Sequence, residues 1–171
     1  EGKKSTPSSV GLSYGTFSMM GDDSKHFSDA ELYQIDANFA IGNVFMLQPF
    51  FRYGYKYYEE GFVGYYSGII AWADIYTYGL GIAPKVYIQL ANNNLILSIG
   101  PSVSYNYYEI ETEVSVLSIY SHIPNIESTS NDFLLSYGGN AQIEWRISPR
   151  IALSTELFYD HVKLDELYKD S

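Results

Sequence analysis

The feature that most constrains this chain is a strict alternation of large apolar side chains with polar or small ones. It is clearest in residues 44–57, which read VFMLQPFFRYGYKY. One face of this segment carries Phe45, Leu47, Phe51, Tyr53, Tyr55 and Tyr57, and the other carries Gln48, Arg52, Gly54 and Lys56. Successive side chains of a β-strand point to opposite faces of a sheet. The segment therefore predicts a strand with one apolar face and one polar face.

The same alternation recurs along the chain, so we expect seven strands. The other predicted strands are residues 10–20, 33–41, 71–90, 95–108, 132–147 and 151–159. Their polar face is mostly Gly, Ser, Ala, Asn and Gln, whereas a water-facing surface normally carries many Lys and Glu. A soluble barrel turns its apolar face inward. The composition instead favours a packed polar interior and an apolar outer face in lipid, as in a transmembrane β-barrel.

The predicted connections alternate between short and long. Tight turns are expected at residues 42–43, 91–94 and 148–149, and long polar loops at residues 21–31, 58–70 and 109–131. Antiparallel strands joined in this way place all short turns at one end of a barrel and all long loops at the other, as in bacterial outer-membrane barrels. Residues 114–120 have strand-forming composition, but an extra strand there would mix the two ends. We expect an external hairpin or loop for them.

Aromatic residues gather toward the end of the predicted strands that leads into the long loops. Transmembrane barrels carry such aromatic girdles at the headgroup level. The predicted interfacial girdle consists of Tyr53, Tyr55, Trp72, Tyr76, Tyr105, Tyr107 and Trp145. Within it, Trp72 falls near the loop end and Trp145 near the turn end, as anchors at opposite membrane surfaces would.

Charged residues also occur on the polar faces of the predicted strands. This lumen charge network consists of Asp36, Arg52, Lys85, Glu144, Arg146 and Glu156. An eight-stranded barrel is only wide enough for side chains to fill. The charges are therefore expected to pair with one another inside a plugged barrel. An ion pathway is the alternative.

Length and composition narrow the class of protein. The 171 residues are expected to form a single domain over residues 1–171, with no apolar run near the roughly 18 residues of a membrane-spanning helix. The chain has no cysteine, which excludes disulfides and thiolate metal sites. Its net charge of -10 argues against a nucleic-acid partner. Because the chain begins with Glu1 and shows no signal peptide, we expect a form whose leader has been removed.

No catalytic or metal-binding constellation stands out, and no cofactor is expected. Two of the histidines, His26 and His122, fall in predicted loops, and His161 follows Asp160 at the loop end of the last predicted strand. An enzyme that modifies lipids would need a histidine, a serine and an orienting carboxylate placed together. His161 has no serine at the neighbouring position on its own face. The chain is therefore not expected to be an enzyme.

The strand–turn–strand segment QIEWRISPRIALSTELFY, residues 142–159, carries a family resemblance best. It resembles the small eight-stranded outer-membrane β-barrels, the porin-like or OmpA/OmpX-like family, in the variety common among Bacteroidetes. The resemblance implies an all-β, antiparallel up-and-down transmembrane barrel in the bacterial outer membrane. It also implies eight strands where the alternation predicts seven. Because unpaired strand edges are costly in lipid, an eighth strand is expected from a missing C-terminal segment or from another chain.

Function is constrained less than fold, because one fold serves many functions. The expected role is a structural or interaction barrel that displays external loops, for example as an accessory subunit of a larger outer-membrane complex. Its expected partners are outer-membrane lipid and lipopolysaccharide, and no nucleic acid. A small diffusion pore and a barrel-embedded lipid-modifying enzyme are the alternatives.

Overall fold

The architecture is a single antiparallel sheet. A computed structural model describes residues 8–17, 30–63, 67–90, 94–118, 124–148 and 151–162. The strands in chain order are β1 (Ser8–Phe17), β2 (Ala30–Ile41), β3 (Phe45–Val63), β4 (Ser67–Leu90), β5 (Leu95–Ser118), β6 (Ile126–Ser148) and β7 (Ile151–Val162). A membrane-spanning helix is not found in the part of the chain that the structure describes.

The strand order in the sheet is the chain order, β1-β2-β3-β4-β5-β6-β7, and every neighbouring pair is antiparallel. The predicted all-β, up-and-down architecture with seven strands is therefore confirmed. The sheet curls into an open half-barrel. Its concave face, here called the lumen, carries the polar side chains, and its convex outer face carries the apolar ones.

The short connections lie together at one end of the sheet, here called the turn end. At the β2–β3 connection a turn spans residues 42–44, where Gly42 has a φ of 73°. Most L-residues avoid this left-handed conformation, so glycine suits the position. The hydroxyl of Tyr87 donates to the Gly42 carbonyl oxygen at 2.9 Å and ties β4 to this turn. Residues 91–93 of the turn predicted at 91–94 lie outside the described part of the chain, and the flanking residues Leu90 and Leu95 are paired.

The opposite end, the loop end, differs from the prediction. Residues 58–70 and 109–131 were expected to be long loops, and that prediction is wrong for most of them. Strand β3 continues to Val63, and β4 begins at Ser67. Strand β5 continues to Ser118, and β6 begins at Ile126. Residues 114–118 are the end of β5, paired with β4 and, at Val114, with β6. Residues 21–29 and 119–120 lie outside the described part of the chain.

These strand ends pair with one another and form a second feature, here called the sheet extension: residues 56–63 of β3, 67–75 of β4, 109–118 of β5 and 126–132 of β6. The pairing is continuous, from Tyr57↔Asp74 to Val63↔Gly68 and from Ser67↔Ser118 to Ile75↔Ile110. Two hairpins that alternation alone assigns to separate loops are therefore one four-stranded continuation of the sheet.

Strands β1 and β7 form the two edges, and neither is paired with the other. The gap between them is here called the seam. Lumen-facing residues of β7 near the turn end, Ala152 and Ser154, are exposed, whereas lumen residues of the central strands are buried. The lumen therefore opens to the surroundings along the seam.

Candidate functional site

Arg52 lies at the centre of the polar cluster in the lumen. Its Nη1 lies 2.6 Å from Oδ2 of Asp160, its Nε donates to Oε1 of Gln34 at 2.6 Å, and its Nη2 lies 3.5 Å from Oε1 of Glu156. The guanidinium carbon is 4.2 Å from the ring centroid of Phe50 and 4.2 Å from that of Phe158. A planar guanidinium can satisfy several acceptors in its plane while aromatic rings cover its faces. Arg52 thus joins β2, β3 and β7 through one buried group.

Amide side chains surround the carboxylates of the same cluster. Asp36 accepts from Nε2 of Gln48 at 3.1 Å and from Nε2 of Gln34 at 3.3 Å. Glu156 accepts from Nδ2 of Asn140 at 3.1 Å and from Gln48 at 3.3 Å. A buried carboxylate is costly unless it is paired and hydrogen-bonded. The amides come from β2, β3 and β6 and supply that bonding.

Lys85 is the most deeply buried cation of the lumen, with 1% of its surface exposed. Its Nζ donates to Oε1 of Gln142 at 3.1 Å and lies 3.9 Å from Oε2 of Glu156. On the neighbouring strand β5, a Cβ at Gly100 would collide with the carbonyl oxygen of Pro84. That glycine is required by the close approach of the β4 and β5 backbones.

Glu144 and Arg146 form a separate pair nearer the turn end. Arg146 Nε lies 2.8 Å from Glu144 Oε1, and the hydroxyl of Ser9 donates to Glu144 Oε2 at 3.4 Å. Of the residues proposed as a lumen charge network, Asp36, Arg52, Lys85 and Glu156 are thus linked to one another, and Glu144 with Arg146 is connected to Asp36 through hydrogen bonds of Ser9 and Asn38.

Apolar side chains close the lumen below the polar cluster. Met46, Tyr87 and Ile96 pack together at the turn end with Ala40 against them. Beyond the cluster toward the loop end, Ile75, Tyr108 and Leu134 are buried on the lumen face. The charged groups therefore lie in a layer with apolar side chains toward both ends. In this layer the charged side chains bond to one another and to amides, while the lumen stays open along the seam.

Sequence reasoning missed Asp160 as a lumen residue. It treats Asp160 as the loop end of the last strand, yet Asp160 is the closest ion-pair partner of Arg52 and accepts from the Ser102 hydroxyl at 3.0 Å. The signal was present, because Asp160 shares the two-residue period of Glu156 and Phe158. Phe158, an exception to the polar pattern, is explained by its contact with the Arg52 guanidinium.

The outer face carries a continuous row of aromatic rings, here called the aromatic ladder: Tyr14, Tyr33, Tyr53, Tyr78, Tyr107 and Phe133. Each is paired in register with the next, from β1 to β6. Ring centroids of successive members lie between 4.8 and 6.2 Å apart. Such tilted pairs each add about 0.5–1.5 kcal/mol beyond the area that they bury.

The residues proposed as an interfacial girdle fall in three places. Tyr53 and Tyr107 belong to the ladder, while Tyr55 and Tyr76 form an adjacent ring pair at 5.3 Å and Tyr105 stacks on Phe133 at 5.4 Å. Trp145 is exposed on the outer face at the turn end of β6. Trp72 lies beyond the ladder, inside the sheet extension, paired in register between Glu59 and Glu113.

Below the ladder the outer face is apolar and exposed. Its members include Leu80 with 69% of its surface exposed, together with Ile82, Val86, Ile88, Ile99, Val103, Leu135, Ile143, Leu153 and Leu157. Exposed apolar patches larger than a few hundred Å² are rare on soluble monomers. A continuous face of this kind is suited to contact with an apolar environment.

Above the ladder the outer face becomes acidic. In the sheet extension it carries Glu59, Asp74, Glu109, Glu111, Glu113 and Glu127, and no lysine or arginine lies on this face within the described residues. Aromatic hydrogen-bond donors reach several of these groups. Trp72 Nε1 donates to Glu113 at 3.1 Å, and the Tyr57 hydroxyl donates to Glu59 at 3.0 Å. The hydrogen bond to Glu59 raises the pKa of Tyr57 above its ordinary value.

The inner face of the extension is mixed. Its apolar members are Ile69, Ala71, Ala73, Ile110, Val114, Val116 and Ile126, of which Ile69 is 54% exposed, and its polar members include Lys56, Thr112, Ser128, Ser130 and Asp132. The polarity of the outer face therefore inverts at the ladder, from apolar below it to acidic above it, while the inner face changes from polar to mixed. The sequence periodicity of two is unbroken through this inversion, because the strands continue without a register shift.

Of the histidines, only His161 lies in the described part of the chain, where its ring centroid is 5.2 Å from that of Tyr137. Within the same part of the chain, no group of three or more His, Cys, Asp or Glu side chains is arranged to hold a metal ion. Comparison of the chain with family models, with curated proteins and with solved structures finds no match.

Proposed function

We propose that this protein is an integral β-barrel of the bacterial outer membrane that acts as a structural or interaction protein and presents its sheet extension at the membrane surface. The single observation that carries the proposal is the inversion of polarity at the aromatic ladder. A soluble sheet has no reason to be apolar outside along one half of its strands and acidic outside along the other. A membrane boundary at the ladder accounts for both halves.

The dimensions of the apolar band fit a bilayer. From Phe45 to Tyr55 the strand advances about 33 Å at about 3.3 Å per residue. With the tilt of about 40° that is usual in such barrels, the band is about 25 Å tall, the height of the apolar band of outer-membrane barrels. The ladder and its neighbouring tyrosines then lie at the headgroup level on one side.

The extension is the part of the molecule best suited to recognition. It stands outside the apolar band, it continues the paired sheet, and its outer face is acidic. Function tends to lie in such projecting segments held by a scaffold. Outer-membrane lipid, lipopolysaccharide and a larger outer-membrane protein complex are the partners proposed for this surface, in which the protein would serve as an accessory subunit.

The lumen gives less support to a diffusion pore, because the Arg52 and Lys85 clusters span it between apolar side chains. A lipid-modifying enzyme has no specific observation in its favour. Both remain outside the proposal.

Tryptophan depth tests the membrane assignment. Two single-tryptophan variants, Trp72→Phe and Trp145→Phe, would be reconstituted in phosphatidylcholine vesicles with brominated acyl chains. Trp145, on the apolar band, should be quenched by bromine. Trp72, beyond the ladder, should be quenched by aqueous acrylamide and little by bromine. Equal bromine quenching of both, or none of either, would refute the proposed membrane boundary.

A further inference from the structure

The sheet extension has a free strand edge along β6. Strand β6 pairs with β7 only as far as Ser136↔Val162, whereas its pairing with β5 continues to Ile126. Residues 126–132, here called the β6 edge, therefore have no strand beside them on the side away from β5 within the described residues. This edge lies beyond the loop end of β7 and is not part of the seam. Residues 124–131 are all exposed.

The register shows which backbone groups face this edge. The Arg146 N–H donates to the Asn94 carbonyl oxygen at 2.7 Å, so Arg146 bonds toward β5. Bonded and non-bonded residues alternate along an antiparallel pair, and the β5–β6 register has no shift over residues 126–145. The even-numbered residues of the β6 edge therefore bond to β5. Those that turn their N–H and C=O groups to the free side are Glu127, Thr129 and Asn131.

Phe133 marks the lower limit of the β6 edge. Its N–H donates to Oδ1 of Asp132 at 2.6 Å, as expected for an odd-numbered residue that does not bond to β5. An N–H group that is already bonded to the preceding side chain is closed to another strand. The part of β6 that is open to pairing therefore ends at Asp132, just above the aromatic ladder.

The β6 edge is also a formed strand. The Thr112 hydroxyl donates to the Ser128 carbonyl oxygen at 3.2 Å, and the Ser115 hydroxyl donates to Oδ1 of Asn125 at 2.8 Å. Natural edge strands are usually protected by lysine, proline, a bulge or an inward-pointing charge. Residues 126–132 contain no lysine, proline or bulge, and their one inward charge, Asp132, lies at the lower limit. The edge is therefore suited to pairing with another strand.

The outer face beside the β6 edge is acidic. Glu127 is paired in register with Glu113 of β5. Like charges directly opposite one another on neighbouring strands are destabilising. No lysine or arginine offsets them on this face in the part of the chain that the structure describes. A strand added to the edge would relieve this repulsion if it placed a cation beside Glu127.

Short side chains give further cations a route to β5. Thr129 is paired with Glu111, and Asn131 is paired with Glu109. An added strand would lie about 4.8 Å from β6, so its long outer-facing side chains would extend across Thr129 and Asn131 toward these two carboxylates. The three residues with free backbone groups thus lie in the same rows as the three glutamates of β5.

We propose that the β6 edge binds an extended segment of a partner protein by strand addition, antiparallel to β6, and that this segment carries Lys or Arg on the alternate residues that share the outer face. In such complexes the backbone hydrogen bonds provide affinity and the alternate side chains provide specificity. A second copy of the chain fits poorly as the occupant, because it would bring one acidic face beside another.

Hydrogen exchange of single amides in detergent micelles tests whether the edge is open. Without a partner, the amides of Glu127, Thr129 and Asn131 should exchange at least tenfold faster than those of Ser128 and Ser130, which bond to β5. Protection that is independent of protein concentration would show that the chain itself already covers the edge. Protection that rises with protein concentration would show that a second copy covers it. Either result would overturn the proposal.

Peptides test the chemistry of the partner. Three peptides would match residues 126–132 in length and alternate valine with arginine, with glutamate or with serine. The Arg peptide should slow exchange of the odd-numbered edge amides at least tenfold more than the other two at equal concentration. Its advantage should shrink at high salt, which screens exposed charges. An Arg peptide no better than either of the others, or no protection by any peptide, would overturn the proposal.

One pair of variants tests the backbone contribution. Thr129→Pro removes an N–H that faces the free edge, and proline is tolerated at such positions of an edge strand. It should abolish protection by the Arg peptide, whereas Thr129→Ala keeps the N–H and should dock the peptide within twofold of the unmodified protein. Unchanged exchange of the Ser104 and Ser136 amides in the lumen would show that the sheet is intact. Docking that survives Thr129→Pro would contradict strand addition.

A second pair of variants tests the charge contribution. Glu127→Lys should weaken binding of the Arg peptide at least tenfold and should favour the Glu peptide. Glu59→Lys makes the same change in net charge on β3, at the far side of the extension, and should alter binding less than twofold. Equal weakening by the two substitutions would show a general effect of net charge and would refute recognition at the β6 edge.

The inference takes from the proposed function only the exposure of the extension to water. If no peptide docks on a protein whose Trp145 is quenched by brominated lipid, the inference is wrong and the membrane assignment stands. If the Arg peptide docks on a protein whose Trp145 is not reached by brominated lipid, the inference stands and the membrane assignment is wrong.

Discussion

The guanidinium of Arg52 lies 2.6 Å from the carboxylate of Asp160, across the lumen between strands that are not neighbours in the sheet. Replacing Arg52 by Met would leave Asp160 and Glu156 without their cation in a buried layer. Breaking a buried pair by removing one partner typically costs about 3–5 kcal/mol. The free energy of unfolding, measured by urea titration in vesicles, should fall by this amount.

Arg146→Met is the matched control for Arg52→Met. Its pair with Glu144 is less buried, with 22% of the Arg146 side chain and 9% of the Glu144 side chain exposed. We expect a smaller loss there than for Arg52→Met, because water reaches Arg146 and can solvate part of the charge that Glu144 retains. Equal losses in the two variants would show that the Arg52 cluster has no special role.

Lys85→Met should also destabilise the protein by about 3–5 kcal/mol, because Glu156 and Gln142 lose a buried donor. Gln89→Met, on the same face of β4 near the turn end, removes no charge and should cost under about 1 kcal/mol. Neither variant should show steady conductance in planar bilayers, and neither should the unmodified protein. Steady single-channel currents through the unmodified protein would refute a plugged lumen.

Leu80→Arg places a charge in the middle of the apolar band. An arginine facing lipid at the midplane of an outer-membrane barrel costs about 2–4 kcal/mol. Thr129→Arg is the same substitution on the outer face of the extension, paired in register with Glu111, and should change the free energy of unfolding by less than about 0.5 kcal/mol. If Leu80→Arg folds in vesicles as stably as Thr129→Arg, the outer face does not contact lipid.

Glu59→Gln should lower the pKa of Tyr57 toward its ordinary value, because the carboxylate that accepts the hydrogen bond of the Tyr57 hydroxyl is replaced by a neutral amide. The raised pKa also determines how this hydrogen bond affects stability as pH changes. Because the pKa of Tyr57 is higher in the folded state, the bond contributes to the free energy of unfolding below the unfolded-state pKa, and this contribution disappears as pH rises through the folded-state pKa. Ultraviolet difference titration against Tyr57→Phe in both backgrounds isolates this one tyrosine. An unchanged midpoint after Glu59→Gln would contradict the hydrogen bond.

Deleting residues 115–128 should leave the lower barrel folded and remove the outer end of the extension. The contacts that stabilise the lumen lie below the ladder, so the urea midpoint should change little, while association with co-purifying outer-membrane components should be lost. A deletion of the same length is not possible at the turn end, where connections are tight. Instead, a Gly-Ser insertion after Asn43 is the control and should preserve association. Intact association after the deletion would exclude the outer end of the extension from recognition.

Much of the fold was predictable because a period of two is a local signal. The faces of Phe51, Arg52 and Leu80 follow from alternation alone, without knowledge of the sheet. The end of a strand is not local in the same way. Glu111 and Ser115 read as loop residues, and their place in β5 depends on pairing with Asp74 and Ile70 of β4.

The candidate site was predictable in part for the same reason. Alternation places Asp36, Arg52, Lys85 and Glu156 on one face, but it does not say which of them meet across a curved sheet. Asp160 was missed because the predicted last strand ended at residue 159, one residue before it. The change from an apolar to an acidic outer face was visible in the sequence, but only the pairing of β3 to β6 shows that it occurs on one continuous surface.

The inversion at the ladder has a consequence for how the protein responds to bilayer thickness. Many membrane proteins accommodate a thicker or thinner bilayer by tilting or shifting along the membrane normal. Here a shift in one direction brings Asp74 and Glu109 into hydrocarbon, and a shift in the other carries Phe45 and Leu90 into water. The position of the sheet is therefore fixed from both sides, and any hydrophobic mismatch has to be relieved by deformation of the surrounding lipid. We expect such a protein to partition into membrane regions whose hydrocarbon thickness is close to about 25 Å.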